Sequence, residues 1–554
     1  MGNTQIKDIH DEQMKIIQND LFKDKISEIE DKEEYNRIIR MNAGQLRELI
    51  LNKKMTVKKM FNYFHHRKRE EANAHFNFTK ILFDKPLERS KQLDKLVSYN
   101  NIKNQDMPLL GFNISIKDTN KLKGSPSTFG FAINIDKIQP TQPETIKLLI
   151  EKGAVITCKG NVPMSAFSSE CDNNIWGTGL NPYDKKRTPG GSSGGDCALV
   201  ALNCVNAGIG SDIAGSLRIP ALFCGVVGFK PTTGRVSTEV CGSYFELHEF
   251  SKSLPNPTEI IKKNIGPITR SVSDCETLLT VLVETSKFDT LIAPLGWRKF
   301  EVPKKVGLFM GFSQLEISAA NRRGLEIAGE ALKKNGIELI GLDLDEFFED
   351  MFVTFGSSYS SNLCLKAIFT GQVPLQEPLT PAFDNLKRLS KLPLFMIRLL
   401  IRMEGDSRRS LFLKAIYNSY TRNDAQIAKD IQNVQTRFRA FLKEKDIEYL
   451  IAPGLATPAV TLGSSSKNLF QGVYTYMFNG LEYPAGALPI TKVKENEQYY
   501  ETKFNDEIAQ SLKDVMKESK GLPVGIQVCG MFWLDEGVIE LMKIIEKEVN
   551  FEYM

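Results

Sequence analysis

Between Thr188 and Thr232 the chain reads TPGGSSGGDCALVALNCVNAGIGSDIAGSLRIPALFCGVVGFKPT, and no other stretch restricts the fold so tightly. Two clusters of small residues, GGSSGG at 190–195 and DIAGS at 212–216, each carry serine, and an apolar, helix-capable segment separates them. Small residues permit tight turns and let the backbone approach a ligand closely. A serine in such a turn presents its hydroxyl with little steric cover. Two such serines joined through a helix point to acyl-transfer chemistry.

A serine hydroxyl needs a base before it becomes a nucleophile. The chain has five histidines, His10, His65, His66, His75 and His248, and only His248 follows the glycine-rich serines. GGSSGG satisfies the G-x-S-x-G pattern of a nucleophile elbow, but that fold places its histidine last, after an acid. His248 follows Ser192 too soon, in the polar stretch ELHEFSKS. A phosphate-binding loop is excluded as well, because Gly-Lys-Ser/Thr is missing. Lysine remains, and it serves as a base only if burial disfavours its ammonium form. Lys117 is the candidate, at the end of the alternating strand pattern Gly111-Phe112-Asn113-Ile114-Ser115-Ile116. On spacing alone it is equally a strand-edge lysine with its amine in water.

The 554 residues suffice for a large core. With 42% hydrophobic and 25% charged residues the composition is that of an ordinary globular protein. A net charge of +4 gives no dominant basic surface, so no nucleic-acid partner is expected. Nine scattered cysteines without a C-x-x-C pair, and a polar start, predict a reduced, cytoplasmic chain without signal peptide or transmembrane helix. Gly2 is a poor myristate acceptor, since Ile6 stands where that signal needs Ser or Thr.

Residues 1–100 read as helical, with helices starting at Asn42 and Thr56. Beyond them helix and strand patterns alternate: a helix over Thr145–Lys152, a strand over Ala154–Cys158, strands at Lys305–Leu308, Tyr449–Pro453 and Gly521–Val528, and a last helix from Asp535 to Lys547. This predicts an α/β fold with a largely covered sheet.

The long segment resembles the amidase signature family, whose pattern is GGSSGG, a helix, D-x-GGS-x-R-x-P and FCG-x-x-G-x-KPT. ISIKD at 114–118, NVP at 161–163, NP at 181–182 and GLPVGIQV at 521–528 extend the likeness. It implies a single large domain over 96–554, a twisted mixed sheet with helices on both faces (α/β/α), and a helical segment 1–95 packed on it. It also implies a Ser-Ser-Lys triad. Lys117 stands at the catalytic lysine, Ser192 at the bridging serine that follows a cis peptide, and Ser216 at the acylated nucleophile. Ile213, Ala214, Gly215 and Ser216 match the backbone donors of the oxyanion hole, and Asp212 and Arg218 pair beneath the loop. The family usually has glycine where this chain has Ala214; if that position needs a positive φ, alanine costs about 1 kcal/mol or more. The family uses no cofactor and no metal, and no metal-ligand spacing appears in the chain.

Two regions speak to the substrate. In 386–403, LKRLSKLPLFMIRLLIRM, the residues Lys387, Lys391, Arg398 and Arg402 fall within about 60° on a helical wheel, amid apolar neighbours. Such a stripe fits a helix lying in a membrane interface, and fits equally a core helix whose basic stems reach outward. Pro393 divides the stretch. The C-terminal third and NVPMSAFSSECDNN at 161–174 resemble the fatty acid amide hydrolase branch, where apolar helices dock on membranes and admit lipids. That resemblance implies a lipid amide substrate, with Ala166, Phe167 and Ser168 lining its channel. It further implies peripheral attachment to intracellular membranes through 386–403, and a homodimer. An amidase for small or aryl amides, a glutaminase-type component of a tRNA-dependent amidotransferase and a non-catalytic lipid-binding relative are the alternatives.

Overall fold

The alternating run that ends at Lys117 forms the third strand from one edge of an eleven-stranded mixed sheet in the computed structural model, which describes residues 3–22, 29–75, 77–82, 84–99, 106–242, 260–360, 377–380 and 392–554. In chain order the strands are β1 (Phe78–Ile81), β2 (Asn113–Lys117), β3 (Val155–Gly160), β4 (Ala207–Asp212), β5 (Val227–Lys230), β6 (Asn264–Thr269), β7 (Lys305–Phe309), β8 (Glu338–Leu342), β9 (Tyr449–Pro453), β10 (Ala485–Lys492) and β11 (Pro523–Gly530). Across the sheet they lie in the order β1-β3-β2-β4-β6-β5-β10-β11-β9-β7-β8. β2 runs parallel to both β3 and β4, and β7 parallel to β8 and β9, while the pairs between them are antiparallel. Ile265 and Ile268 point to opposite faces of β6, yet both are fully buried in separate cores. A sheet covered on both sides explains why its central strands read as nearly continuous apolar runs. The expected single α/β domain is the fold observed.

Local chemistry sets the element ends. Asn42 caps the helix Ala43–Leu51 through a capping box with Gln45. The Thr56 hydroxyl accepts the Lys59 N–H at 3.0 Å where the helix Val57–His75 begins. The helices Glu144–Glu151 and Asp535–Val549 lie where periodicity puts them. The helical reading of residues 1–100 misses β1, which pairs antiparallel with β3 (Phe78↔Gly160, Ile81↔Cys158). Four residues between two long helices show no period of their own, and only the exposed edge of β3 recruits them. The helix Asn3–Phe22 lies on the core through Ile6, Ile17 and Leu21.

His248 and residues 386–391 lie outside the described residues. Of the basic stripe, Arg398 and Arg402 are described; both are exposed on the helix Leu394–Glu404, which Pro393 starts at its N-cap. Among the described residues no helix is long and apolar enough to cross a membrane.

Candidate active site

Lys117 ends β2 with its side chain 1% exposed. Its amine lies 2.7 Å from the Ser192 hydroxyl, 2.9 Å from the Ser211 hydroxyl and 3.2 Å from the Ser211 carbonyl. Three partners suit the three N–H groups of an ammonium. After deprotonation, two N–H groups stay on Ser211 and the lone pair is left for the Ser192 O–H. Burial lowers the Lys117 pKa to about 8, against the pull of nearby Asp196 and Asp212. A lysine so tuned exchanges protons near neutral pH. Sequence pattern does not single out Ser211; its only signal is its place directly before DIAGS.

Ser192 reaches this amine because the chain turns under the helix Gly194–Ala201. Only glycine fits at 195, where a Cβ would stand 2.1 Å from the Asn161 nitrogen. The Gly191–Ser192 peptide is cis. The Ser193 N–H donates to the Ser216 carbonyl at 3.1 Å and ties the two serine loops together. Ser192 is buried, and Ser216 is half-buried at the wall of a cavity.

The loop 212–216 rests on a buried ionic network. Arg218 meets both carboxylate oxygens of Asp212 at 3.1 and 3.2 Å, and also donates to Gln527, Asn479 and the Thr475 carbonyl. Burial alone would raise the Asp212 pKa, but the Arg218 charge outweighs it and holds the carboxyl at about 2. Asp212 also accepts the Gly215 N–H at 2.7 Å and the Leu217 N–H at 3.1 Å. Of the four expected oxyanion donors, Ile213, Ala214 and Ser216 line the cavity; Gly215 does not, and its N–H is committed to Asp212. The strain considered for Ala214 belongs one residue later. Gly215 has φ +116°, and a Cβ there would meet the Thr475 hydroxyl at 2.3 Å, whereas Ala214 has no positive φ.

Ser216 opens onto a cavity of about 210 Å³ that also holds Ala166, Phe167 and Ser168. Aromatic and aliphatic side chains form most of its wall, and among the described residues none of its lining groups carries a charge. Ala166 and the preceding Ser165 both hold left-handed backbone, with φ of 53° and 63°. The helix Arg408–Thr421 supplies Phe412, Ala415, Ile416 and Tyr420 to the cavity. It also packs on the helix Leu394–Glu404 through Leu413, Ile416 and Ile397. That outer helix presents Phe395 and Met403 to solvent, 72% and 74% exposed, beside Leu399. No histidine lines this cavity among the described residues; buried His65, its pKa pressed to about 3 by desolvation, faces the Leu21 carbonyl instead.

A sequence model of the Amidase family matches residues 62–539. Fatty-acid amide hydrolase 1 of Sus scrofa is 28% identical over 468 residues, which is 79% of this chain and 76% of that protein. A putative amidase of Schizosaccharomyces pombe is 24% identical over 526 residues, 92% of this chain and 89% of that protein. A solved structure of a fatty acid amide hydrolase superposes with a TM-score of 0.78 and 21% identity, covering 99% of this chain and 91% of that one. A match running through β2, both serine loops and β11 accounts for the same residues that the geometry gathers, and on it the chain belongs to the amidase signature family of amide hydrolases.

Proposed function

We propose that this chain hydrolyses fatty acid amides to fatty acid and amine at a membrane surface, with Ser216 as nucleophile, Ser192 as proton relay and Lys117 as base. Neutral Lys117 takes the Ser192 proton while Ser192 takes that of Ser216. Ser216 Oγ then attacks the amide carbonyl, and backbone N–H groups of the 213–216 loop hold the oxyanion. Such donors are effective because they are fixed before charge develops. The proton returns from Lys117 through Ser192 to the leaving nitrogen, which departs as a neutral amine. Water, deprotonated along the same path, then hydrolyses the acyl-Ser216 ester.

The observation that supports this reading is that Ser216 lines a cavity without charged lining groups while its carbonyl accepts the N–H of Ser193, the neighbour of the Ser192 whose hydroxyl lies 2.7 Å from the Lys117 amine. A long acyl chain is favoured in such a cavity by about 0.8 kcal/mol per buried methylene. The exposed apolar face of Leu394–Glu404, flanked by Arg398 and Arg402, supports docking at a lipid interface. The helix Arg408–Thr421 links the two regions, lining the cavity and packing on the helix Leu394–Glu404. Similarity to the Sus scrofa fatty-acid amide hydrolase supports the same substrate class.

The test is mass spectrometry of a lipid extract, supplemented with aryl amides and glutamine, after incubation with wild type and with Ser216→Ala. Long-chain N-acyl amines should disappear only with the wild type. Equal depletion by both would remove Ser216 as nucleophile, and turnover confined to aryl amides or glutamine would remove the lipid.

A further inference from the structure

Three peptide units of the nucleophile loop have their carbonyl oxygens held from outside. The Tyr359 hydroxyl donates to the Ile213 carbonyl at 2.8 Å, the Thr475 hydroxyl to the Ala214 carbonyl at 3.0 Å, and the Ile219 N–H to the Gly215 carbonyl at 2.7 Å. These peptides are trans, so each N–H points opposite to its own anchored carbonyl. The N–H opposite the Thr475 contact is that of Gly215, and Asp212 takes it. The N–H groups opposite the other two contacts belong to Ala214 and Ser216, and both residues line the cavity. Among the described residues neither of these two amides donates a hydrogen bond.

The three anchors differ in kind. Ile219 N–H is backbone of the following helix, and Thr475 shares its one hydroxyl proton with the carbonyl of Gly472, the N-cap of its own helix Val473–Gly480. Tyr359 alone reaches the loop from a cavity-lining side chain of another element, the short helix Gly356–Ser360. Its ring is buried and packs edge-on against Tyr476 at 5.7 Å between centroids, so the hydroxyl has a fixed direction. Desolvation keeps the phenol protonated, and therefore a donor, far above neutral pH.

We propose that Tyr359 is a positioning residue for the oxyanion hole: its hydroxyl clamps the Ile213–Ala214 peptide and thereby aims the Ala214 N–H at the substrate oxygen. This rests on reading Ser216 as the nucleophile. With alanine rather than glycine at 214, the amide stays a donor, and the clamp sets its direction. Because the clamp comes from the cavity wall, the acyl-binding region and the oxyanion donors form one connected unit. A chain packed against Tyr359 then also bears on the rate of the chemical step.

The test compares Tyr359→Phe and Tyr359→Leu with wild type on a long-chain primary amide, together with inhibition by the matching trifluoromethyl ketone and by the free fatty acid. The ketone adds Ser216 Oγ to its carbonyl and develops an oxyanion; the acid reports ground-state binding. Tyr359→Phe should lower kcat about tenfold to a hundredfold with KM within about twofold, since loss of a whole donor costs about 10²–10³. The ketone should weaken in parallel with kcat/KM while the acid stays unchanged. If Tyr359 only fills space, Phe behaves as wild type and Leu raises KM, and that result overturns the clamp. Ser216→Ala in the same panel separates the two ideas. A dead Ser216→Ala beside a fully active Tyr359→Phe removes the clamp alone, whereas an active Ser216→Ala removes the nucleophile and the clamp with it.

Discussion

Lys117, Asp212 and Arg218 are at most 1% exposed, and each is held by several hydrogen bonds, whereas Phe395 and Met403 on the outer helix leave about three quarters of their surface in water. The floor of the cavity thus buries charge and satisfies it; the outer side of its roof exposes apolar surface and leaves it uncovered. Buried ionic groups are expensive unless paired, so the floor is tolerated only because its partners converge from β2, β4, β11 and the helix Val473–Gly480. An exposed apolar strip has the opposite cost and is relieved when something apolar covers it. On the proposed reading the comparison separates chemistry from delivery: the floor would arm a hydroxyl, and the roof would set from which medium the substrate arrives.

The sharpest way to break the floor is Lys117→Ala, which should lower kcat on the order of 10⁴-fold or more on any amide while leaving partition onto vesicles unchanged. Steady-state rates beside vesicle sedimentation check both halves, and undiminished turnover would discard Lys117 as base. Next in size is a pair of neighbours. Gly215→Ala forces alanine to φ +116° with its Cβ against Thr475, and should cost about 10²-fold or more in kcat. Ala214→Gly, with no such strain to relieve, should stay within about threefold of wild type. On the roof, Phe395→Ser with Met403→Ser removes apolar surface the fold does not use. Vesicle partition should weaken about tenfold to a hundredfold with kcat on a water-soluble amide unchanged. Equal partition by the double variant would return this helix to a merely structural part.

The gentlest perturbation is a change of pH. On the proposed mechanism the active form of Lys117 is the neutral amine, and burial lowers its pKa to about 8. Rising pH therefore increases kcat/KM up to about 8, and each unit below that removes about tenfold. The profile in detergent and on vesicles should share this limb, since the base lies in the floor. A limb that moves with the lipid would tie the two regions together.

Much of the floor could be read from residue order. The strand ending at Lys117, the helix between the serine loops and the partnership of Asp212 with Arg218 all come from local pattern or a long contiguous motif. What stayed hidden came from distant chain. Tyr359, Thr475 and Asn479 reach their partners in and beside the loop from 146 or more positions away and carry no local signature, so only the closed fold reveals them. Edge strand β1 is equally silent, because four residues have no measurable period until β3 offers its edge.

By itself the sequence determined the α/β class and the amidase signature motif, because backbone turns and periodicity are short-range properties written within a few residues. Tertiary structure alone decided that the Gly215 N–H serves Asp212, that the glycine requirement sits at 215 rather than 214, and that the apolar strip of Leu394–Glu404 remains exposed. Those outcomes depend on which groups meet across the fold and which meet only water, and the energy of a polar or apolar group is set by that company.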